Sequence, residues 1–202
     1  RLDKTKLCQT AKDLSFSKIS LLAPGFSTQS GYLPAAGELT SPAAVANFSF
    51  GQGTLMATPI QVALMTCCIV NGGKTPSAQL VEGLSEDGKS LSEINRAAAP
   101  VHAVSEKTAE QIKQFLITGV MSRSDQNAKP TKTTAGGKTA TAQTGNFKNG
   151  EEILQGWFTG FFPAEDPQYV VTVLCEEADS GNSSASPVFR EIADRITEEL
   201  LS

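Results

Sequence analysis

Apolar side chains return at helical spacing in four stretches of this chain. Near the start, Leu7, Ala11 and Leu14 predict a short helix that leaves into a loop at Ser15-Phe16-Ser17-Lys18. The second helix has a well-written beginning: Thr58 caps, Pro59 takes the first helical position and Gln61 stands three residues after the cap, as in a capping box. It runs from Ile60 to Val70 with apolar residues on nearly every side, which predicts burial all round, and stops at Asn71-Gly72-Gly73. Ser105 caps a third helix with Ile112, Phe115, Leu116 and Val120 as its core face, ending near Ser122. Ser186 and Pro187 start a fourth, with Phe189, Ile192, Ile196 and Leu200 on one stripe and Arg190, Asp194 and Glu198 outside.

The β-type runs lie between the last two helices. Trp157 to Phe162 and Tyr169 to Cys175 flank Pro163-Ala164-Glu165-Asp166-Pro167, which predicts an antiparallel hairpin beside the strand that precedes it. The remaining segments read as connections. Leu21 to Ser41, rich in proline, glycine and serine, is a long surface loop; residues 74 to 104 form an exposed two-strand excursion turning at Glu86-Asp87-Gly88-Lys89. Residues 123 to 135 are polar and irregular, and Asn146 to Gln155, with Asn149-Gly150, is a polar loop lying over a cleft.

At 202 residues the chain fits one domain and can bury roughly 70 per cent of its unfolded surface. A net charge of -4 leaves no broad basic surface, so nucleic acid is not expected as a partner. No apolar run approaches the roughly eighteen residues of a membrane span, and Arg1-Leu2-Asp3-Lys4 begins nothing like a signal peptide; a membrane anchor is expected outside this chain. Four cysteines without Cys-x-x-Cys spacing, and one histidine, argue against a metal site, and no cofactor is expected. Cys67 and Cys68 read as small buried hydrophobes, a Cys8–Cys175 disulfide is left open, and His102 reads as a loop residue outside any site. Gly51-Gln52-Gly53 lacks the third glycine of a phosphate loop.

The chemistry concentrates in Gly136-Gly137-Lys138-Thr139-Ala140-Thr141-Ala142-Gln143-Thr144-Gly145. Alternation along a strand puts Thr139 and Thr141 on one side and starts Lys138 on the other, long enough to curl round an edge. A carboxylate lying along that edge would meet hydroxyls, an ammonium and free backbone N–H groups together. Taken alone, the stretch reads first as a polar edge strand whose lysine discourages aggregation.

Its surroundings change that balance. Lys138-Thr139-Ala140-Thr141 resembles the Lys-Thr/Ser-Gly-Thr box of penicillin-binding protein transpeptidases and serine β-lactamases, and three further stretches match the same family in order. These are Phe50-Gly51-Gln52-Gly53 with Ala57-Thr58-Pro59-Ile60-Gln61, then Gly156-Trp157-Phe158-Thr159-Gly160-Phe161-Phe162-Pro163-Ala164, then Ala185-Ser186-Pro187-Val188-Phe189-Arg190-Glu191-Ile192. The resemblance covers nearly the whole chain. It implies an α/β (α+β) fold, a central antiparallel sheet flanked by helices, with residues 1–202 as the C-terminal part of a transpeptidase domain. It further implies a peptidoglycan D,D-transpeptidase, of the monofunctional type or else of the glycosyltransferase-bearing type, that works by serine acyl-enzyme chemistry at the extracytoplasmic face of the bacterial membrane. Stem peptides ending in D-Ala-D-Ala, β-lactam antibiotics and proteins of a division or elongation complex are its implied partners.

By the same resemblance Lys138 holds the hydrogen-bond network and supplies positive potential, Thr139 and Thr141 bind the terminal carboxylate, and the Thr141 N–H is an oxyanion donor. Ala140 stands where the family most often has glycine, which narrows the gap beside the strand. Ser15-Phe16-Ser17-Lys18 and Ser180-Gly181-Asn182 spell the family's other two boxes in the wrong places, so the nucleophile is expected upstream of Arg1 and the isolated chain is expected to be inactive. Two alternatives share the lysine box or the fold: a β-lactam sensor or β-lactamase, and a non-catalytic cell-wall scaffold.

Overall fold

The computed structural model describes residues 2–23, 25–93, 99–122 and 127–200. Pro24, residues 94–98 of the expected excursion and residues 123–126 of the expected irregular stretch lie outside them. The helices are α1 (Lys4–Asp13), α2 (Pro42–Ser49), α3 (Pro59–Val70), α4 (Glu106–Met121) and α5 (Ser186–Leu200). Six short strands pair as antiparallel twos: β1 (Leu21–Ala23) with β2 (Phe26–Ser27), β3 (Lys74–Thr75) with β6 (Val101–His102), and β4 (Gly83–Leu84) with β5 (Ser92–Glu93). The central sheet holds β7 (Gly136–Lys148), β8 (Glu151–Phe162) and β9 (Tyr169–Cys175), antiparallel and in that order, so β7 is an edge strand of the three.

The α3 start is the capping box read from the sequence: Thr58 N–H donates to Gln61 Oε1 (2.9 Å) and Gln61 N–H to Thr58 Oγ1 (3.3 Å). Gln61 does more than cap. Its amide also donates to the carbonyls of Lys18 (3.2 Å) and Ser30 (2.9 Å), so a buried side chain ties two passing loops to the helix. In α2, Ser41 caps and Pro42 sits in the first turn, a start signal hidden at the end of the segment read as loop.

The sheet is covered on both faces. Phe158 and Phe162 meet Phe189 of α5, with ring centroids 4.6 and 6.0 Å apart, and Val120, Ala185 and Ala193 complete this core. On the other face a hydroxyl relay joins α3 to the sheet. Thr66 Oγ1 donates to Val62 O (3.0 Å), which orients it to accept from Thr159 (2.7 Å), which in turn accepts from Thr172 (2.9 Å). The paired glycines that open β7 admit rings: a Cβ on Gly136 would lie 2.3 Å from Phe161 Cζ, and one on Gly137 2.5 Å from Phe158 Cζ.

Four sequence expectations are corrected. Asn146 to Gln155 is a continuation of the β7–β8 hairpin, with Lys148 paired to Glu151 across Asn149-Gly150. Both turn residues have positive φ, 54° and 87°, the conformation for which an Asn-Gly hairpin turn is suited. Phe115 is 74% exposed. At 3.6 residues per turn it lies about 120° round from buried Ala109, whereas Leu116 and Val120 lie within about 20°. Leu200 is exposed at the helix end, and its place on the α5 stripe is taken by Ala193. Asp194 is not simply outside, because its carboxylate accepts from Thr131 N–H, Lys132 N–H and the Thr131 hydroxyl. All four cysteines are free thiols, with Cys8 and Cys175 in different hydrophobic clusters.

Candidate active site on the edge of the sheet

β7 has one side occupied by β8, so the direction of its peptide groups decides what its outer edge presents. In an antiparallel strand the N–H and C=O of one residue point the same way, and the direction alternates along the chain. Two carbonyls of β7 are bonded by side chains on its outer edge: Thr139 O accepts from Lys138 Nζ (2.6 Å), which curls round from the strand itself, and Thr141 O from Gln52 Nε2 (3.1 Å). They are two residues apart, as the alternation requires. Thr139 and Thr141 therefore turn their N–H groups to the outer edge as well, while Lys138 and Ala140 face β8. The start of this edge is packed against α4.

The threonine hydroxyls are set up as donors. Thr139 Oγ1 accepts from Lys138 Nζ (3.4 Å), and Thr141 Oγ1 accepts from the Gly181 N–H (3.2 Å). A hydroxyl whose oxygen already accepts keeps its proton for an incoming acceptor. Lys138 and Ala140 share the opposite face, and Lys138 reaches round the edge as its length allows. The Ala140 methyl is exposed on that face. The edge thus brings together an ammonium, two donor hydroxyls and outward N–H groups, a set matched to a carboxylate.

Two neighbours of this edge were absent from the candidate residues. Gln52 belongs to a stretch singled out only for its resemblance, and it joins that loop to Thr141. Gly181 lies in a single π-helical turn, Gly181–Ala185, stacked over the strand. A Cβ there would meet Ala140 O at 2.3 Å and Trp157 O at 2.4 Å, so only glycine fits. A cavity of about 310 Å³ continues past Gln143, between β7–β8 and the end of α2 with the loop after it, which carry Asn47, Phe50 and Gln52. A second, of about 320 Å³, lies behind that loop against Leu39, Ala44 and Phe48.

Neither misplaced box forms a nucleophile site. Ser15 is buried, and both Ser15 and Ser17 have positive φ, so Ser15-Phe16-Ser17-Lys18 is a turn and cannot set serine and lysine one helical turn apart. In Ser180-Gly181-Asn182 the serine caps the π-turn by accepting from Ser183 N–H, and Asn182 Oδ1 accepts from Asn127 N–H. His102 is exposed in β6, paired with Lys74 in β3.

A helix-flanked antiparallel sheet with Lys-Thr-x-Thr on its edge strand is the architecture of the penicillin-recognising acyl-transfer proteins. Over residues 1–194 the chain matches the penicillin binding protein transpeptidase domain, and it belongs to that family. It is 30% identical to the peptidoglycan D,D-transpeptidase MrdA of Haemophilus influenzae over 169 residues, 75% of this chain and 25% of that protein. With stage V sporulation protein D of Bacillus subtilis it shares 31% identity over 211 residues, 99% of this chain and 31% of the relative. Among solved structures, a peptidoglycan synthetase from Bifidobacterium adolescentis superposes with a TM-score of 0.86 at 16% identity, covering 98% of this chain and 36% of that one. The chain spans about a quarter to a third of the length of these curated relatives. Among its described residues no helix is long and apolar enough to cross a membrane.

Proposed function

We propose that this chain is the C-terminal part of the transpeptidase domain of a monofunctional peptidoglycan D,D-transpeptidase, acting on stem peptides that end in D-Ala-D-Ala. In the reaction a serine attacks the penultimate carbonyl, D-alanine leaves with the proton, and the amine of a second stem peptide attacks the acyl-serine ester and releases the serine. β-Lactams enter as mimics of the same terminus. The serine comes from a part of the protein outside these 202 residues, which is held at the outer face of the membrane with division or elongation partners.

The observation that carries this reading is the outer edge of β7, where Thr139 and Thr141 each offer a hydroxyl proton and an outward N–H beside the Lys138 ammonium. The two hydroxyls and the ammonium hold the terminal carboxylate. The Thr141 N–H donates to the oxyanion that forms on the attacked carbonyl, an interaction of a kind worth about 10²- to 10³-fold in rate. Ala140 places a methyl beside that path. Thr141 O, held by Gln52, is the carbonyl that a substrate amide laid along the edge would compete for.

A fluorescent penicillin tests the reading. The intact protein is expected to become labelled and Lys138→Ala to slow labelling by about 10²-fold or more, the scale of a lost preorganised electrostatic contact. The isolated chain is expected to stay unlabelled. An intact protein that takes no label, or labelling of the isolated chain at Ser15, would overturn it. Ala140→Gly is expected to speed acylation of the intact protein, and an unchanged rate would show that the methyl does not restrict access.

A further inference from the structure

The Thr141 hydroxyl keeps its proton for a carboxylate because the Gly181 N–H donates to its oxygen (3.2 Å), so whatever aims that N–H acts on the edge at one remove. The peptide groups of the π-turn set the aim. Ser180 O accepts from Ser184 N–H (3.1 Å), and in a trans peptide group the N–H points opposite to the C=O, which turns the Gly181 N–H toward β7. Gly181 O accepts from Ser186 N–H, five residues on. The next carbonyl in that pattern, Asn182 O, falls to Pro187, which has no N–H to give.

A donor for that carbonyl comes from another part of the chain. Asn127, in the connection between α4 and β7, donates from Nδ2 to Asn182 O (3.0 Å), and its N–H donates to Asn182 Oδ1 (3.3 Å), a two-point clasp between residues 55 apart in sequence. The connection is tied down on both sides. Lys129 Nζ donates to Met121 O at the end of α4 (3.0 Å), and Asp194 of α5 accepts from Thr131 and Lys132. The clasp therefore refers the turn to a segment anchored on two helices. Ser180 Oγ, by contrast, accepts from Ser183 N–H (3.1 Å), which shapes the turn without fixing where it sits.

We infer that Asn127 and Asn182 are a positioning pair for carboxylate recognition: they hold the Gly181 turn where its N–H meets Thr141 Oγ1, and so keep the Thr141 hydroxyl proton directed at the ligand. Both act through Gly181 and Thr141. The inference rests on the transpeptidase reading above.

The test follows labelling of the intact protein by a fluorescent penicillin, whose carboxylate takes the place of the peptide's. Asn127→Ala removes the Nδ2 donor and keeps the backbone N–H, and it is expected to slow labelling by about three- to tenfold, the scale of one hydrogen bond. A role confined to packing would slow it too. The deciding measurement is therefore a double-mutant cycle with Thr141→Val, which has no hydroxyl to orient and keeps the backbone N–H for the oxyanion. In that background Asn127→Ala is expected to bring no further slowing. Asn182→Ala breaks the clasp from its other end; it is expected to show the same loss with the same dependence on Thr141, and it decides the question if Asn127→Ala fails to fold. Labelling of the folded variants at the wild-type rate, or a loss of the same size with and without the Thr141 hydroxyl, would overturn the positioning role. Absence of penicillin labelling in the wild type would instead sink the transpeptidase reading, so the two failures are distinguishable.

Discussion

The two hydrophobic clusters of this molecule are built on different principles. Around the sheet, Phe158, Phe162 and Phe189 are wholly buried and touch ring to ring, with small residues such as Ala185 and Ala193 filling between them. In the N-terminal part, Cys8, Leu39 and Phe48 form a smaller group that still keeps 5 to 6% exposure. Order there depends on single polar contacts: Lys4 Nζ donates to Leu39 O (3.1 Å), Cys8 Sγ–H to Pro34 O (3.5 Å), and the Tyr32 hydroxyl to Glu38. The strand carrying Lys138 is thus fixed to a close-packed body, while the facing end of α2 with Asn47, and the loop after it with Gln52, hang from the weaker cluster. A cleft with one fixed wall and one yielding wall can keep its donors aligned while its width adjusts, since segments with few buried contacts open at lower cost.

The sharpest way to break that contrast is to remove one ring from each cluster. Phe158→Ala is expected to cost about 3–5 kcal/mol in denaturant unfolding, and Phe48→Ala about 1 kcal/mol less, because a smaller cluster near the surface collapses more readily around a deletion. Equal losses would show that the two clusters are equally packed. Next in size is Gly181→Ala, which forces a methyl between the Ala140 and Trp157 carbonyls and so pushes the π-turn off the strand. About 1–3 kcal/mol of stability should be lost, together with the Gly181 N–H that orients the Thr141 hydroxyl. If penicillin labelling of the intact variant stayed at the wild-type rate, that orientation would be irrelevant to acylation.

The contrast also explains what could be read from the residues alone. The α3 capping box, the Tyr169–Cys175 hairpin partner and the Lys138 strand were legible because each is a local pattern: a cap spacing, an apolar alternation, a run of small and hydroxyl side chains. Phe115 misled because one apolar residue off the stripe looks like its neighbours until the helical angle is counted. The hairpin tip was missed although Asn149-Gly150 announces it, because polar residues such as Glu151 and Glu152 hid the strand period on a ribbon exposed on both faces. Gln52 and Gly181 had no local signal. Their importance comes from contacts 89 and 40 residues away in the chain.

A smaller effect tests the seam between the fixed body and α3. Thr159→Val preserves shape and breaks the relay, depriving Thr172 of its acceptor and Thr66 of its donor, at an expected cost of about 1 kcal/mol. Because Thr159 is the register partner of Lys138, the same variant reports whether the relay holds the strand in place. Slower acylation by penicillin at unchanged fold would show that it does, and a stability loss alone would confine the relay to packing.

The smallest expected effect sharpens the comparison from the yielding side. The Tyr32 hydroxyl and the Ala35 N–H hold the Glu38 carboxyl below the ordinary glutamate value of 4.5, and the bond to Glu38 raises the Tyr32 phenol above its usual 10.0. A depressed carboxyl stabilises the fold above its unfolded value and loses that contribution as pH falls through the lowered one; a raised phenol stabilises below its unfolded value and loses its contribution as pH rises. The pair therefore contributes most between 4.5 and 10.0. Tyr32→Phe removes it, so the melting-temperature gap between wild type and variant should be constant near neutrality and close as the solution is made more acid than the glutamate range. A gap that persisted undiminished at acid pH would mean that the loop from Tyr32 to Glu38 is held by burial after all, and that the N-terminal wall is no softer than the sheet it faces.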